Sequence, residues 1–338
     1  MRRGTASHQG RSADTDLRRL QAVTTDQAKA QGGSDLRTPL AFAGVVVLGG
    51  LNIVAVKLSN QDFDAFFGAG FRFTLASLVF LAIAFVLRIP VPRGQALVGA
   101  LLYGFYGFVL AFGLGYWALQ ELPASIAGVI IAAVPLFTLV LAALQRLEPF
   151  SWRGLAGGSL AMVGIAVLIG APQSTSVPVV SALAMVGMAL ALSQASIVIK
   201  KYPPCHTVAT NTIGVGVGAA VLLPLSLLRG EEWSLSAAGD SWLAMAYLVL
   251  LGSVGVFGLF VYVLNHWPAS RASYQFVLMP IVAALGAALI LDEPIGVSLV
   301  IGGAIVLAGV YVGALGSKPA PIPAAPDQEA LALRCSTT

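Results

Sequence analysis

Residues 147–167, LEPFSWRGLAGGSLAMVGIAV, return at 292–312 as DEPIGVSLVIGGAIVLAGVYV, at an offset of 145 and without a gap. Glu148-Pro149 becomes Glu293-Pro294, Gly157-Gly158 becomes Gly302-Gly303, and Gly164 becomes Gly309. Followed upstream, the correspondence reaches residue 107 and its partner 252. Phe112-Gly113 returns as Phe257-Gly258, Pro123-Ala124-Ser125 as Pro268-Ala269-Ser270, and Pro135 as Pro280. Roughly a third of the aligned positions are identical, most of the Pro and Gly among them, which marks an internal repeat. Both copies lie in apolar sequence. Two matching halves in a membrane can hold a site at their interface that opens alternately to either side.

Composition sets the class. Of 338 residues, 57% are hydrophobic and 10% charged, where soluble domains carry about 25% charged residues. Mean hydropathy is +0.86. So few charges cannot cover a soluble fold, and apolar segments near the length that crosses about 30 Å of hydrocarbon recur along the chain. The net charge of +4 sits mainly in tails and short loops, so it reads as a determinant of topology and not as a nucleic-acid surface. Residues 1–38 are polar and have no apolar core of a signal peptide, so they are expected to be a disordered tail, like 317–338 with its Pro-Ala-Pro-Ile-Pro run. Cys205 and Cys335 offer no metal-ligand spacing.

Spans are expected at about 39–58, 66–88, 95–117, 122–145, 150–171, 178–199, 208–229, 242–264, 269–291 and 295–316. Basic residues cluster on one set of connections: Arg88 and Arg93, Arg146 and Arg153, Lys200 and Lys201, Arg271, and Lys318. The opposite set carries Asp62, Asp64, Glu121, Glu231, Glu232, Asp240, Asp292 and Glu293, with Lys57 and Arg229 as exceptions. The positive-inside rule then places both termini in the cytoplasm. Five spans per half is odd, so the second half enters with opposite orientation. The charges agree, because Arg146 and Arg153 around Glu148-Pro149 have no basic counterpart around Glu293-Pro294. The reading is an all-helical membrane protein of ten spans, in two inverted five-helix repeats at 39–171 and 178–316. The early parts of the two halves match less clearly, which reads as divergence. Glu148-Pro149 and Glu293-Pro294 fit helix starts, with a functional carboxylate pair as the alternative.

The chain resembles the drug/metabolite transporter superfamily, in particular its EamA-type branch. Gly50-Leu51-Asn52-Ile53-Val54-Ala55-Val56-Lys57 is similar to that family's W-G-x-N-F-x-x-x-K opening, with Leu51 departing from its small residue. Phe71-Arg72-Phe73 with Ala76 is similar to its R-F-x-x-A pattern, and the paired P-A-S…P…E-P…G-G segments match the ends of its halves. The resemblance covers about 40–316. It implies a basket of ten helices around a cavity lined by spans one, three, four, six, eight and nine. It also implies movement of small organic solutes such as amino acids, metabolites or drugs across the bacterial cytoplasmic membrane, often outward.

Polar side chains deep in a span need a partner or a cavity. Candidate substrate contacts are Asn52, Tyr103, Tyr106, Gln194, Tyr262, Tyr274 and Gln275. An amide suits a carboxylate or an amide ligand, and tyrosine offers an apolar wall with a polar tip. The competing reading is interhelical hydrogen bonding for the amides and packed core for the tyrosines. Gln194 lies in the region of span six that corresponds to Asn52 in span one, so the two are expected to face each other across the pseudo-symmetry. Lys57 and Arg72 are the basic residues within or near spans. Each can snorkel, and Arg72 can also pair with a carbonyl or attract an anion. Pro135 and Pro280, at matching positions near mid-span, are expected to act as hinges. Tyr116, Trp117, Trp152, Trp242 and Trp267 read as interfacial anchors.

No Asp or Glu is expected inside a span, so a carboxylate proton relay is missing and facilitated export or exchange is favoured. Proton or counter-substrate coupling and an uptake direction remain open, as does a monomer or a homodimer. An enzyme lacks a nucleophile–base pair or metal ligands at membrane depth, since His8 is in the tail and His206 and His266 are in loops. A channel would favour a continuous polar stripe. The expectation is metabolite transport by alternating access with no cofactor.

Overall fold

The computed structural model describes residues 36–119, 130–169, 178–233, 238–290 and 297–315. The tails, Pro123-Ala124-Ser125 and Asp292-Glu293-Pro294 lie outside the described residues. The chain divides into two units, residues 1–40 and 41–338, and the helices that carry the polar residues belong to the second. Among the described residues every regular element is helical. This is what so apolar a chain requires, because a helix satisfies its own backbone groups where water cannot.

The α-helices are α1 (Arg37–Ser59), α2 (Ala65–Val86), α3 (Gly94–Gly104), α4 (Ala111–Leu119), α5 (Val134–Leu144), α6 (Trp152–Ile169), α7 (Val179–Lys201), α8 (Thr207–Leu228), α9 (Gly239–Val249), α10 (Val256–His266), α11 (Ala269–Ala272), α12 (Gln275–Ile290) and α13 (Val297–Val310). A π-helical turn at Phe105–Leu110 joins α3 to α4, a second at Leu250–Gly255 joins α9 to α10, and a third, Tyr311–Leu315, follows α13. Among the described residues six segments are long and apolar enough to cross a membrane: Arg37–Val56, Ala65–Val86, Gly94–Gly115, Val179–Lys201, Thr207–Leu228 and Gly239–His266. Shorter apolar helices cover Val134–Leu144, Trp152–Val167 and Val300–Gly313.

The element bounds repeat in register. Both ends of α1 and α2 recur in α7 and α8 at an offset of 142, and α3, both π turns and the starts of α4 and α6 recur at 145. The link from α8 to α9 is three residues longer than the link from α2 to α3. This shift explains why a gapless comparison at 145 loses the first two spans of each half. Arg88 (φ 52°) and Gly230 (φ 73°) close α2 and α8 at matching left-handed positions. There Ile89 N–H donates to Ala84 O (2.8 Å) and Glu231 N–H to Ser226 O (3.1 Å), the six-to-one bond of a Schellman cap.

Glycine permits the tightest helix pairs. A Cβ on Gly309 would stand 2.6 Å from Ala161 N, and one on Gly164 2.6 Å from Val306 N, so α6 and α13 touch backbone to backbone. A Cβ on Gly70 would meet Leu223 at 2.8 Å, which brings α2 against α8. The aromatic core beside this pair holds Phe73, Phe108 and Tyr103, all buried. Phe108 meets Tyr103 and Phe257 edge-on at 5.5 and 4.8 Å.

Candidate functional site

The second π turn organises a buried polar node. A π turn widens the backbone and leaves its carbonyls open to outside donors. Gly252 O accepts from Asn52 Nδ2 on α1 and from Arg72 Nη2 on α2, each at 2.9 Å. Arg72 Nε donates to Ser253 Oγ at 2.7 Å, and its guanidinium carbon lies 5.5 Å from the Phe73 ring and 5.9 Å from that of Phe257. Arg72 is only 4% exposed, so it pairs with a carbonyl and does not snorkel. The bond to Gly252 O fixes the Asn52 amide, because a flip would set two carbonyl oxygens together. Its Oδ1 finds no hydrogen bond and rests over Gly252, where a Cβ would have no room. The side chain of Lys57 lies outside the described residues.

Asn52 and Gln194 hold the same register, each the sixteenth residue of a 23-residue helix. Their partners differ. Gln194 Oε1 accepts from Gln145 Nε2, just past α5, at 2.9 Å. Tyr103 is buried, and its hydroxyl donates to Asn211 Oδ1 at 3.4 Å. Asn211 Nδ2 donates to Thr207 O and Phe257 O at 3.0 and 3.1 Å, so Tyr103 belongs to a packed link between α3, α8 and α10. Tyr106 is half-buried against Phe105.

A second group gathers where α10 gives way to α11 and α12. Tyr262 stacks on His266 with ring centroids 4.1 Å apart, and Tyr262 O lies 2.7 Å from His266 Nδ1. Tyr274, 2% exposed, donates its hydroxyl to Gly154 O at 3.0 Å. Gln275 is as buried, and its Oε1 has no partner. The helix expected over 269–291 is broken at Ser273-Tyr274, where Tyr274 N–H turns back to Arg271 O. Pro280 lies within α12, whereas Pro135 stands in the first turn of α5, where the missing N–H costs no bond.

Carboxylates clasp the helix ends. Glu148 does not start its own helix: α6 is capped by Ser151, whose Oγ accepts from Gly154 N–H at 3.1 Å. Glu148 instead accepts from the Ala269 and Ser270 N–H groups, at 2.5 and 3.4 Å, and from the Ser270 hydroxyl. It ties the α5–α6 link to the start of α11. Elsewhere Glu231 accepts from the N–H groups of Phe66 and Phe67 at 3.1 and 2.7 Å. Asp64 accepts from Glu232 N–H and Asp62 from Ala238 N–H, both at 2.9 Å. Hydrogen bonds from Ser241 and from Ala238 N–H hold the Asp62 carboxyl below its ordinary value of 3.8. His206 caps α8 by accepting from Val208 N–H at 3.3 Å, and burial pushes its imidazole below the ordinary 6.5. No group of His, Cys, Asp or Glu among the described residues could hold a metal.

Composition flagged the residues that matter but not their partners. Asn211 is legible as a polar residue within the seventh span, whereas Gly252, Ser253 and Gln145 were missed, since two are plain small residues and one sits at a span end. The partner of Glu148 was hidden by a sequence separation of 121 residues.

The model of the EamA-like transporter family matches residues 37–170 and again 177–314. A probable amino-acid metabolite efflux pump of Salmonella typhimurium is 28% identical over 81% of this chain and 93% of its own length. One of the same name from Escherichia coli K12 is 27% identical over the same shares. The uncharacterized inner membrane transporter YedA of Escherichia coli K12 is 26% identical over 72% of this chain and 80% of its own. The backbone also matches a crystal structure of a protein that is 18% identical, with a TM-score of 0.69, over 83% of this chain and 99% of that one.

Proposed function

The chain belongs to the EamA-like transporter family, and we propose that it exports small organic metabolites by alternating access between two inverted five-helix halves. The halves are 39–171 and 178–316, ten spans in all, lying in the inner membrane with the tails 1–38 and 317–338 in the cytoplasm. The observation that carries this reading is the common register of the halves, in which helix ends and π turns recur at 142 and 145. Two copies of one unit, each interrupted at the same depth, are what a rocking mechanism needs. The names of two relatives support an outward direction and amino-acid metabolites as cargo.

Tyr106, Tyr262 and Gln275 line the route, and Asn52, Tyr103, Arg72, Gln194 and Tyr274 frame it, because the latter five are held by carbonyls or amides of neighbouring segments. Pro280 serves as a hinge, with Pro135 its weaker counterpart. Apart from Asp240 in the first turn of α9, the described helices contain no Asp or Glu, which favours facilitated export or exchange over a buried proton relay.

The test compares metabolites in spent medium and cytosol of cells overexpressing the intact chain or an Asn52→Ala, Gln194→Ala double variant. A solute that accumulates outside only with the intact chain supports export through this site. Depletion from the medium reverses the direction. Equal efflux from both chains moves the site elsewhere.

A further inference from the structure

We propose that Arg271 receives the carboxylate of an amino-acid-like zwitterion and that Gln275 receives its ammonium group, at the end of the route predicted to face the cytoplasm. This rests on the transporter reading above. From sequence alone Arg271 is one more basic residue in a cytoplasmic connection. Its surroundings say otherwise. The guanidinium carbon lies 4.1 Å from the centroid of the Trp267 ring, and Trp267 packs against Phe42 with ring centroids 5.2 Å apart. Stacking on a ring uses the face of a guanidinium and leaves its N–H edge free to grip a planar oxyanion.

That edge is vacant. Arg271 Nε is buried without a partner, and among the described residues the Arg271 side chain makes no hydrogen bond or ion pair. Glu148 does not pair with it and instead accepts from two backbone N–H groups and a hydroxyl at the start of α11. Arg72 is the contrast: its guanidinium is engaged by Ser253 and Gly252 and reads as a tie between helices.

Gln275 supplies the complement. It lies four residues on, just past the break at Ser273-Tyr274, and is 2% exposed with Oε1 unpaired. It is the first residue of α12, and Arg271 stands in the short helix α11 on the other side of the break. A buried donor and a buried acceptor four residues apart in the chain, bonded neither to each other nor to a neighbour, match a solute with a carboxylate beside an ammonium group. Leaving both empty is costly in an apolar setting.

The experiment uses the purified full-length chain in detergent without added lipid. Melting temperature is measured with each of the common amino acids, and each stabilising one is retested as its decarboxylated amine and its deaminated acid. The expected result is stabilisation by at least one amino acid, none by its amine, and affinity weakened about tenfold or more in Arg271→Gln. Arg271→Lys should keep part of the affinity, and Gln275→Leu should bind the deaminated acid as well as the amino acid. If Arg271→Gln does not fold, Arg271→Lys and Gln275→Leu carry the test.

Stabilisation by no amino acid overturns the proposal, as does an Arg271→Gln chain that binds like the intact one. An Arg271-dependent shift with phosphatidylglycerol instead of amino acids assigns the guanidinium to a lipid headgroup and also overturns it. Counterflow in vesicles separates the two readings. Solute moved at equal rates by the intact and Arg271→Gln chains rejects this site alone, whereas no movement by the intact chain rejects the transporter reading as well.

Discussion

Gly252 gathers polar side chains from two other helices at one carbonyl, although nothing in its own composition announces it. Its carbonyl takes one polar side chain from α1 and one from α2, and its missing Cβ leaves space for the Asn52 amide. Gly252→Ala is therefore expected to destabilise the fold by roughly 2–4 kcal/mol, from overpacking plus the displaced amide bond. Denaturant titration in detergent measures this, with Gly258→Ala, which has nothing within 4 Å of the new Cβ, as the tolerated control. His206 gives a prediction of a different kind. Its neutral Nδ1 is the acceptor that caps α8, and its value is depressed by burial. A base depressed in the folded state contributes fully above its ordinary 6.5 and loses that contribution as pH falls through the folded value. The melting temperature should therefore drop between pH 7.5 and 5, and His206→Asn, whose oxygen accepts at any such pH, should flatten the drop. Asp62, also depressed, keeps its bonds down to below 3.8, so acidification to pH 5 should leave that tie intact. Sequence marks such residues as polar and out of place; it does not name an acceptor 180 or 200 residues away.

At the scale of elements, the repeat was legible because Pro and Gly have few alternatives at breaks and contacts. Gly157, Gly164 and Gly309 lie where α6 and α13 pack backbone to backbone, a contact that leaves no room for a Cβ. The first two spans of each half escaped a gapless comparison, since three extra residues before α9 shift them to 142. The π turns were not legible at all. A π turn differs from an α turn by one hydrogen-bond register and keeps the same apolar composition. The helix pair α6–α13 yields a sharp contrast: Gly309→Val should abolish folded protein, because its Cβ would lie 2.6 Å from backbone nitrogen, while Gly303→Val should express normally. Size-exclusion profiles in detergent decide it. Pro280 breaks the backbone ladder inside α12, whereas Pro135 enters α5 at its first turn. Pro280→Ala should therefore slow flux several-fold more than it weakens binding, and Pro135→Ala should change both little. Equal losses of binding and turnover in Pro280→Ala would count against the hinge.

For the whole molecule, the carboxylate ties acquire a joint meaning under alternating access. Glu148 fastens the α5–α6 link to α11, and Asp62, Asp64 and Glu231 fasten the α1–α2 link to the residues around 232–241. Charge bias assigns the first tie to the cytoplasmic side and the second to the opposite side. If the halves rock as units, the two ties compete, because opening at one face closes the other. Glu148→Ala leaves the Ala269 and Ser270 donors unpaired and should favour opening on its own side. Hydrogen exchange at residues 269–273 should then rise, and exchange at 66–70 should fall below that of the intact chain. Glu231→Ala should produce the mirror pattern, faster at 66–70 and slower at 269–273. A local cap lost from a rigid scaffold would raise exchange only beside the substitution, and a generally loosened fold would raise it at both ends. Only opposite signs at the two ends are diagnostic of one equilibrium shared by both faces, and their absence would reject alternating access while leaving membrane transport by this chain untouched.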